Sequence, residues 1–185
     1  MTTLPEDLDR FLPDEQWFRH RPRGIHGAPH TTRVLIWAAM LVDGLGRRDA
    51  LRRDELLWAA SVHDVGRVND GVDRGHGARS AAWVLDRLVA ERPALSGLDL
   101  PFVAELCRWH EVPDAAIERL SLELVILKDA DGLDRVRIGD LDPERLRLQH
   151  AARMVEAAES LERRTDAYER ITADKVLAMA RRLLA

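Results

Sequence analysis

Two residue types are almost missing from this sequence. Cys107 is the only cysteine, so no internal disulfide can form. The fold must therefore rest on its core, and a reducing compartment suits it. Of the 28 basic residues only Lys128 and Lys175 are lysines, a bias toward arginine that genome composition alone produces. No stretch approaches the roughly 20 apolar residues of a membrane span. The opening MTTLPEDLDRFLP is acidic and lacks the apolar run of a secretory signal. No run of basic residues interleaved with aromatics marks a nucleic-acid groove. With a formal net charge of -4, these absences lead us to expect a cytoplasmic protein with no membrane or nucleic-acid partner. Small anionic ligands remain open, and oligomeric state is not set by these features.

What is present is helical. The chain has 185 residues, 46% of them hydrophobic, which suits one packed domain. Residues 1–28 read as an arm with a short helix, and HRPRGIHGAPH as a loop rich in Gly and Pro. A helix is expected from Pro29, a residue tolerated in a first turn. Val34, Leu35, Ala38, Leu41 and Val42 form its apolar face, and Gly44 and Gly46 suggest its end. Asp54 can cap a second helix reaching His63, after which DVGRVNDGVDRGHG reads mostly as a loop. A third helix covers roughly Gly77 to Glu91 and stops before Pro93. A fourth opens at Pro101 and runs to His110. The fifth is expected from about Asp114 through SLELVILKDADGLDRV, with a break or kink near Gly132. Two more cover about 143–160 and 165–184. LELVILK is the one run that suits a strand, but its flanks read helical. The expected fold is an all-α, single-domain helical bundle. An amino-terminal arm covers about residues 1–28, and packing helices cover about 143–184. Trp37, Trp58, Trp83 and Trp109 sit on apolar helical faces and belong to the hydrophobic core.

The chemistry lies in the histidines. There are seven, and five fall at or beside expected helix ends. His63 is followed directly by Asp64. Histidine with carboxylate is an ordinary ligand set for divalent metals, but one such dipeptide is weak evidence. The wider set is stronger: His30 in HGAPHTTRV, His63-Asp64 in AASVHDVGR, and Asp131 in LVILKDADGLDRVR, behind an apolar run that anchors it.

This order resembles the HD superfamily of metal-dependent phosphohydrolases, whose pattern is a histidine, a His-Asp pair and a distant aspartate. Arg33-Val34 after the first histidine, the form HDVGR, and the surroundings of DADGLDR are also similar to that family. The resemblance covers about residues 26–137. It implies an all-α HD domain in which His30, His63, Asp64 and Asp131 hold a divalent ion, of Mn, Fe, Co, Zn or Mg. Positions left open would admit water and substrate. Some branches carry two more histidines between the His-Asp pair and the last aspartate, and His76 in RGHGARSA and His110 in CRWHE fall in those places. Two readings of this pair stay open. Both bind a second ion, with Asp64 bridging, or both contact substrate and water.

The resemblance also implies a small anionic phosphorylated substrate, probed by basic side chains. Arg67, the basic position of HDVGR, leads these candidates, with Arg33, Arg79 and Lys128 behind it. Asp64, Arg67, His76 and His110 are the candidates for direct catalytic contact. Asp70 and Asp73 are either acceptors behind the ligands or turn residues, and His26 is a candidate behind His30. Trp109, beside His110, can border a ring. Some nucleotide-cleaving members have a glutamate just after the His-Asp pair, and this chain departs from them with Arg67, Val68 and Asn69. Three functions follow: hydrolysis of a phosphoester or phosphoanhydride in a nucleotide-like metabolite, a di-iron oxygenase cleaving a carbon bond, and a regulatory module without turnover.

Overall fold

The computed structural model describes residues 4–46, 50–95, 97–166 and 171–184. Among these the chain is all α, with eight α-helices, six short 3-10 turns and no strand. The helices are α1 (Ala28–Gly44), α2 (Arg53–Val62), α3 (His76–Glu91), α4 (Leu100–Trp109), α5 (Leu122–Leu133), α6 (Gln149–Ala152), α7 (Val155–Asp166) and α8 (Ala173–Leu183). None is long and apolar enough to cross a membrane.

α1 is the axis of the bundle. Every residue from Ala28 to Ala39 is buried, so the helix has no solvent face, as expected of one enclosed on all sides. It packs against α2, α5 and α8. α3 and α4 form a tight pair, and α4 also leans on α2. α7 covers α8 and the turn that follows α5. The amino-terminal segment is part of the core. Its turns Glu6–Phe11 and Glu15–Trp17 bury Leu8, Phe11 and Trp17. Phe11 and Trp17 stack on Trp58 with ring centroids 5.4 and 6.4 Å apart, and Trp17 meets Trp83 at 5.4 Å.

Four expectations need correction. Asp54 does not cap the second helix: α2 starts at Arg53, Arg52 precedes it, and no side chain caps it. The fifth helix does not begin at Asp114. Asp114–Ala116 is an isolated 3-10 turn, and α5 starts at Leu122, where the Ser121 side chain accepts from the Leu124 amide. The run LELVILK is helical, and the chain leaves α5 at Leu133 for the 3-10 turn Asp134–Ile138. The segment 143–160 is not one helix but the turn Pro143–Arg145, α6 and the first half of α7. The cause is tertiary: the buried Asp129 carboxylate accepts from the Arg147 and Leu148 amides. These are the donors a continuous helix would have spent internally. Of the expected helix 165–184, Thr165 and Asp166 close α7, and residues 167–170 lie outside the described residues.

The architecture brings helix ends together. His30 is in the first turn of α1, His63 caps the end of α2, His76 opens α3, His110 caps the end of α4, and Asp131 lies in the last turn of α5. Two glycines permit this. Gly75 has φ of +84°, the left-handed turn that starts α3 at His76. Gly66 presses on α3 so closely that a Cβ would lie 2.5 Å from the Ser80 amide nitrogen, which accounts physically for the glycine of HDVGR.

Candidate metal centre

Each of four imidazoles is pinned through Nδ1. His63 donates to the Ala60 carbonyl at 2.8 Å, His76 to that of Asp73 at 2.7 Å, and His110 to that of Cys107 at 2.7 Å. His30 donates to the Asp134 carboxylate at 2.7 Å. Carbonyls and carboxylates only accept, so the hydrogen sits on Nδ1 in every case, which leaves Nε2 of each ring as the atom free to face a metal. Those atoms converge. His30 and His63 Nε2 are 3.2 Å apart, and His76 and His110 Nε2 are 3.0 Å apart.

Asp64 stands between the two pairs. Its Oδ2 is 3.6 Å from His30 Nε2 and 3.9 Å from His63 Nε2. Its Oδ1 is 3.1 Å from His76 Nε2 and 3.6 Å from His110 Nε2. Asp131 Oδ1 adds an oxygen 3.5 Å from His30 Nε2. Oδ1 of Asp64 is buried and accepts no hydrogen bond despite these neighbours.

Facing lone pairs about a carboxylate repel unless something positive lies among them. Zinc–nitrogen bonds of about 2.0–2.1 Å in a tetrahedral site put two ligand atoms about 3.3 Å apart, near the separations seen. The donor set therefore fits divalent metal. His30, His63 and Asp131 form one group whose donor atoms lie within 4.8 Å of one another, and His63, Asp64 and His110 form a second. A third group joins His26 to His30 and Asp64.

The electrostatics suit this use. Burial holds His63 neutral, with its pKa lowered to about 3. Burial would raise Asp64, but the imidazoles around it, His63 first and then His110, His26 and His30, outweigh that, and the carboxyl stays well below the usual range. Asp131 is likewise lowered, burial being overcome by His30 and His63. His76 is raised: burial pulls it down, and the neighbouring Asp64 carboxylate pulls it up further.

Behind the ligands lies a layer of which the sequence reading singled out His26, and Arg33 in another role, but not Asp134, Glu111 or Arg137. Asp134 is buried; it accepts from His30 and takes a two-pronged contact from Arg33 Nε and Nη2 at 2.6 and 3.0 Å. Glu111 accepts from the Gly75 and Gly77 amides and lies 3.1 Å from His76 Nδ1. Arg137 donates to the Ile25 carbonyl at 2.6 Å, to the Asp134 carbonyl at 2.9 Å and to His26 Nδ1 at 3.1 Å, tying the loop before α1 to the end of α5. His26 Nδ1 in turn is 3.0 Å from Asp64 Oδ2, and burial lowers its pKa. In the DADGLDR segment the three aspartates divide the work. Asp129 holds the Arg147 and Leu148 amides that lead into α6, Asp131 faces the histidines, and Asp134 orients His30.

The structure brings His30, His63, Asp64, Asp131, His76 and His110 to one place, with Arg67 beside them. Arg67 Nε is 3.0 Å from Asp64 Oδ2, and its Nη1 donates to the Gly71 carbonyl. Arg33, Arg79 and Lys128 are not brought to the same pocket. Arg33 spends its guanidinium on Asp134 and Thr165. Arg79 spends its own on the Gly66 carbonyl and Asp73. Lys128 donates to Asp114 and the Val112 carbonyl, facing a neighbouring cavity. Asp73 also accepts from the Val68 amide and so fixes the turn, while Asp70 pairs with Arg21. Trp109 is half-buried against the core. The pocket over the site has a volume of about 370 Å³ and includes Arg67, Arg74, Arg135 and Arg137. A larger cavity of about 780 Å³ between α2 and the end of α3 shares no residue with it.

This is the site of an HD domain. The family model for the HD domain matches residues 27–136, from the turn before His30 to just past Asp134, and the chain belongs to that family. No curated protein and no solved structure gives a significant match.

Proposed function

We propose that the protein is a divalent-metal-dependent phosphohydrolase that uses water to cleave a phosphoester or phosphoanhydride in a small, nucleotide-like metabolite. The observation that carries this reading is Asp64, whose two oxygens each face a separate pair of histidine Nε2 atoms. A bound ion of the Mn, Fe, Co, Zn or Mg kind supplies an activated water and a counter-charge for phosphate. His30, His63, Asp64 Oδ2 and Asp131 would hold one ion, and Asp64 Oδ1, His76 and His110 a second. Asp134 fixes the ring of His30 and thereby the direction of its donor atom. Arg67 restrains Asp64 through Nε and offers the rest of its guanidinium to a non-bridging phosphate oxygen. Arg74, Arg135 and Arg137 add positive charge along the same wall, which favours an anionic substrate.

The same donors suit a di-iron centre that uses oxygen to cleave a carbon bond, but four arginines around the pocket favour a phosphorylated ligand. A regulatory module without turnover would have no need of so complete a donor set. The test is a turnover screen of nucleotides and phosphorylated metabolites with Mn, Co, Fe and Mg, with oxygen uptake followed in parallel. Phosphate release without oxygen consumption supports the reading, and oxygen-dependent loss of substrate would replace it.

A further inference from the structure

Arg33 links two parts of the chain. It stands one turn after His30 on α1. Its Nε and Nη2 grip Asp134, while Nη1 donates to the Thr165 hydroxyl at 3.2 Å. Thr165 lies in the last turn of α7, beyond the residues 27–136 matched to the HD domain. A line of side chains therefore runs from α7 through Arg33 and Asp134 to His30, and all four are buried.

The direction of the hydroxyl is fixed. Thr165 has one hydroxyl hydrogen, and the Leu161 and Glu162 carbonyls stand 3.0 and 3.1 Å from its oxygen. The hydrogen goes back to the helix, and a lone pair is left to accept from Arg33. Without that oxygen a buried guanidinium N–H loses its acceptor, which is costly. The guanidinium is rigid and planar, so Nη1 cannot turn to another acceptor without turning Nε and Nη2 on Asp134. The Asp134 Oδ2 that Nη2 holds at 3.0 Å also accepts from His30 Nδ1 at 2.7 Å. A shift of the fork is thereby passed to the ring whose Nε2 faces Asp64 and Asp131.

Resting on the metal-centre reading above, we infer that Thr165 is a positioning residue of that centre: it holds Arg33 on Asp134 and so keeps His30 Nε2 directed at the ion. Thr165 touches no candidate ligand itself and acts only through Arg33. α7 is then a working part of the metal site and not merely a cover for α8 and the turn after α5.

The test titrates Mn into the metal-free full chain by calorimetry, with urea unfolding of each variant alongside. Thr165→Val keeps the shape and removes the acceptor. Its Kd for Mn is expected to rise at least about threefold, less than the roughly 10–100-fold change on removing a direct partner of a ligating histidine. Thr165→Ser restores the hydroxyl and should bring the affinity back to that of the wild type. Ala158→Gly weakens the buried face of α7 two turns earlier and should lower the urea midpoint with no change in Kd. Thr165→Ala takes the place of Thr165→Val should the latter fail to fold. An unchanged Kd without the hydroxyl, no recovery in Thr165→Ser, or an equal rise in Ala158→Gly overturns this inference and leaves the metal centre standing. Wild-type protein that binds no Mn overturns both.

Discussion

Asp64 turns one carboxylate oxygen toward each of two histidine pairs: Oδ1 lies 3.1 Å from His76 Nε2, and Oδ2 lies 3.6 Å from His30 Nε2. Asp64→Asn keeps the shape but removes the charge and puts an amide NH2 where one oxygen stood. Both half-sites should then lose metal together. Metal content after dialysis is expected to fall by more than about tenfold, the scale on which even residues behind the ligands act. Circular dichroism should show the helices unchanged. Wild-type metal content in the variant would mean that Asp64 is not shared.

Asp134 offers a different readout, because it touches no candidate donor atom but holds His30 through Nδ1. Its carboxyl is kept far below the usual range: burial alone would raise it, and the Arg33 charge and the His30 hydrogen bond overcome that. Asp134→Ala strands the buried Arg33 guanidinium, which should cost about 3–5 kcal/mol. Asp134→Asn should be milder in stability yet weaken metal binding by about 10–100-fold. Calorimetric titration of Mn, alongside urea unfolding, separates the two effects.

The helices of the core were legible because α1 to α4 carry apolar spacing, α1 and α4 a proline in the first turn, and α4 a capping Asp99. His30, His63-Asp64 and Asp131 were legible because their order along the chain is distinctive. The layer behind them was not. Asp134 reaches His30 across 104 positions and Arg33 across 101, and nothing local to DADGLDR tells which aspartate faces inward. Arg33 looked like a substrate contact for the same reason: its partner is invisible until α1 and α5 are packed. The split at α6 depends on Asp129 taking the Arg147 and Leu148 amides, 18 and 19 positions away. His26 was placed behind His30 by proximity alone. Its Nδ1 meets Asp64 and Arg137, 38 and 111 positions further on.

The pH response of the metal-free chain has a defined sign. Burial holds His63 neutral down to about 3, whereas an unfolded histidine takes a proton near about 6.5. Between those values the unfolded state binds more protons, so this site's contribution to stability falls as pH drops from about 6.5 toward about 3. His76, shifted upward, works in the opposite sense. Urea midpoints of EDTA-treated protein at pH 7.5 and pH 5 should therefore be compared with those of His63→Gln. The variant is expected to lose less stability than wild type over that step. An equal loss would place the acid sensitivity elsewhere.

Cys107 is fully buried between α4 and α2, with its thiol 4.0 Å from the Ala59 carbonyl. Burial, followed by the Asp64 charge, pushes its pKa well above the ordinary value. A thiol kept protonated and covered is a poor nucleophile. Titration with a disulfide reagent should modify it at least about a hundredfold more slowly in the folded chain than in denaturant. Rapid reaction in the native protein would contradict the packing of α4 on α2.

The central claim is that these helix ends form a metal site that hydrolyses phosphate esters. It is tested most directly by titrating Mn into metal-free protein while following p-nitrophenol release from p-nitrophenyl and bis(p-nitrophenyl) phosphate. The account predicts no turnover without metal, and activity that rises with added Mn and saturates near two equivalents. Saturable Mn binding with no cleavage of either ester, or turnover unaffected by removing metal, would contradict it.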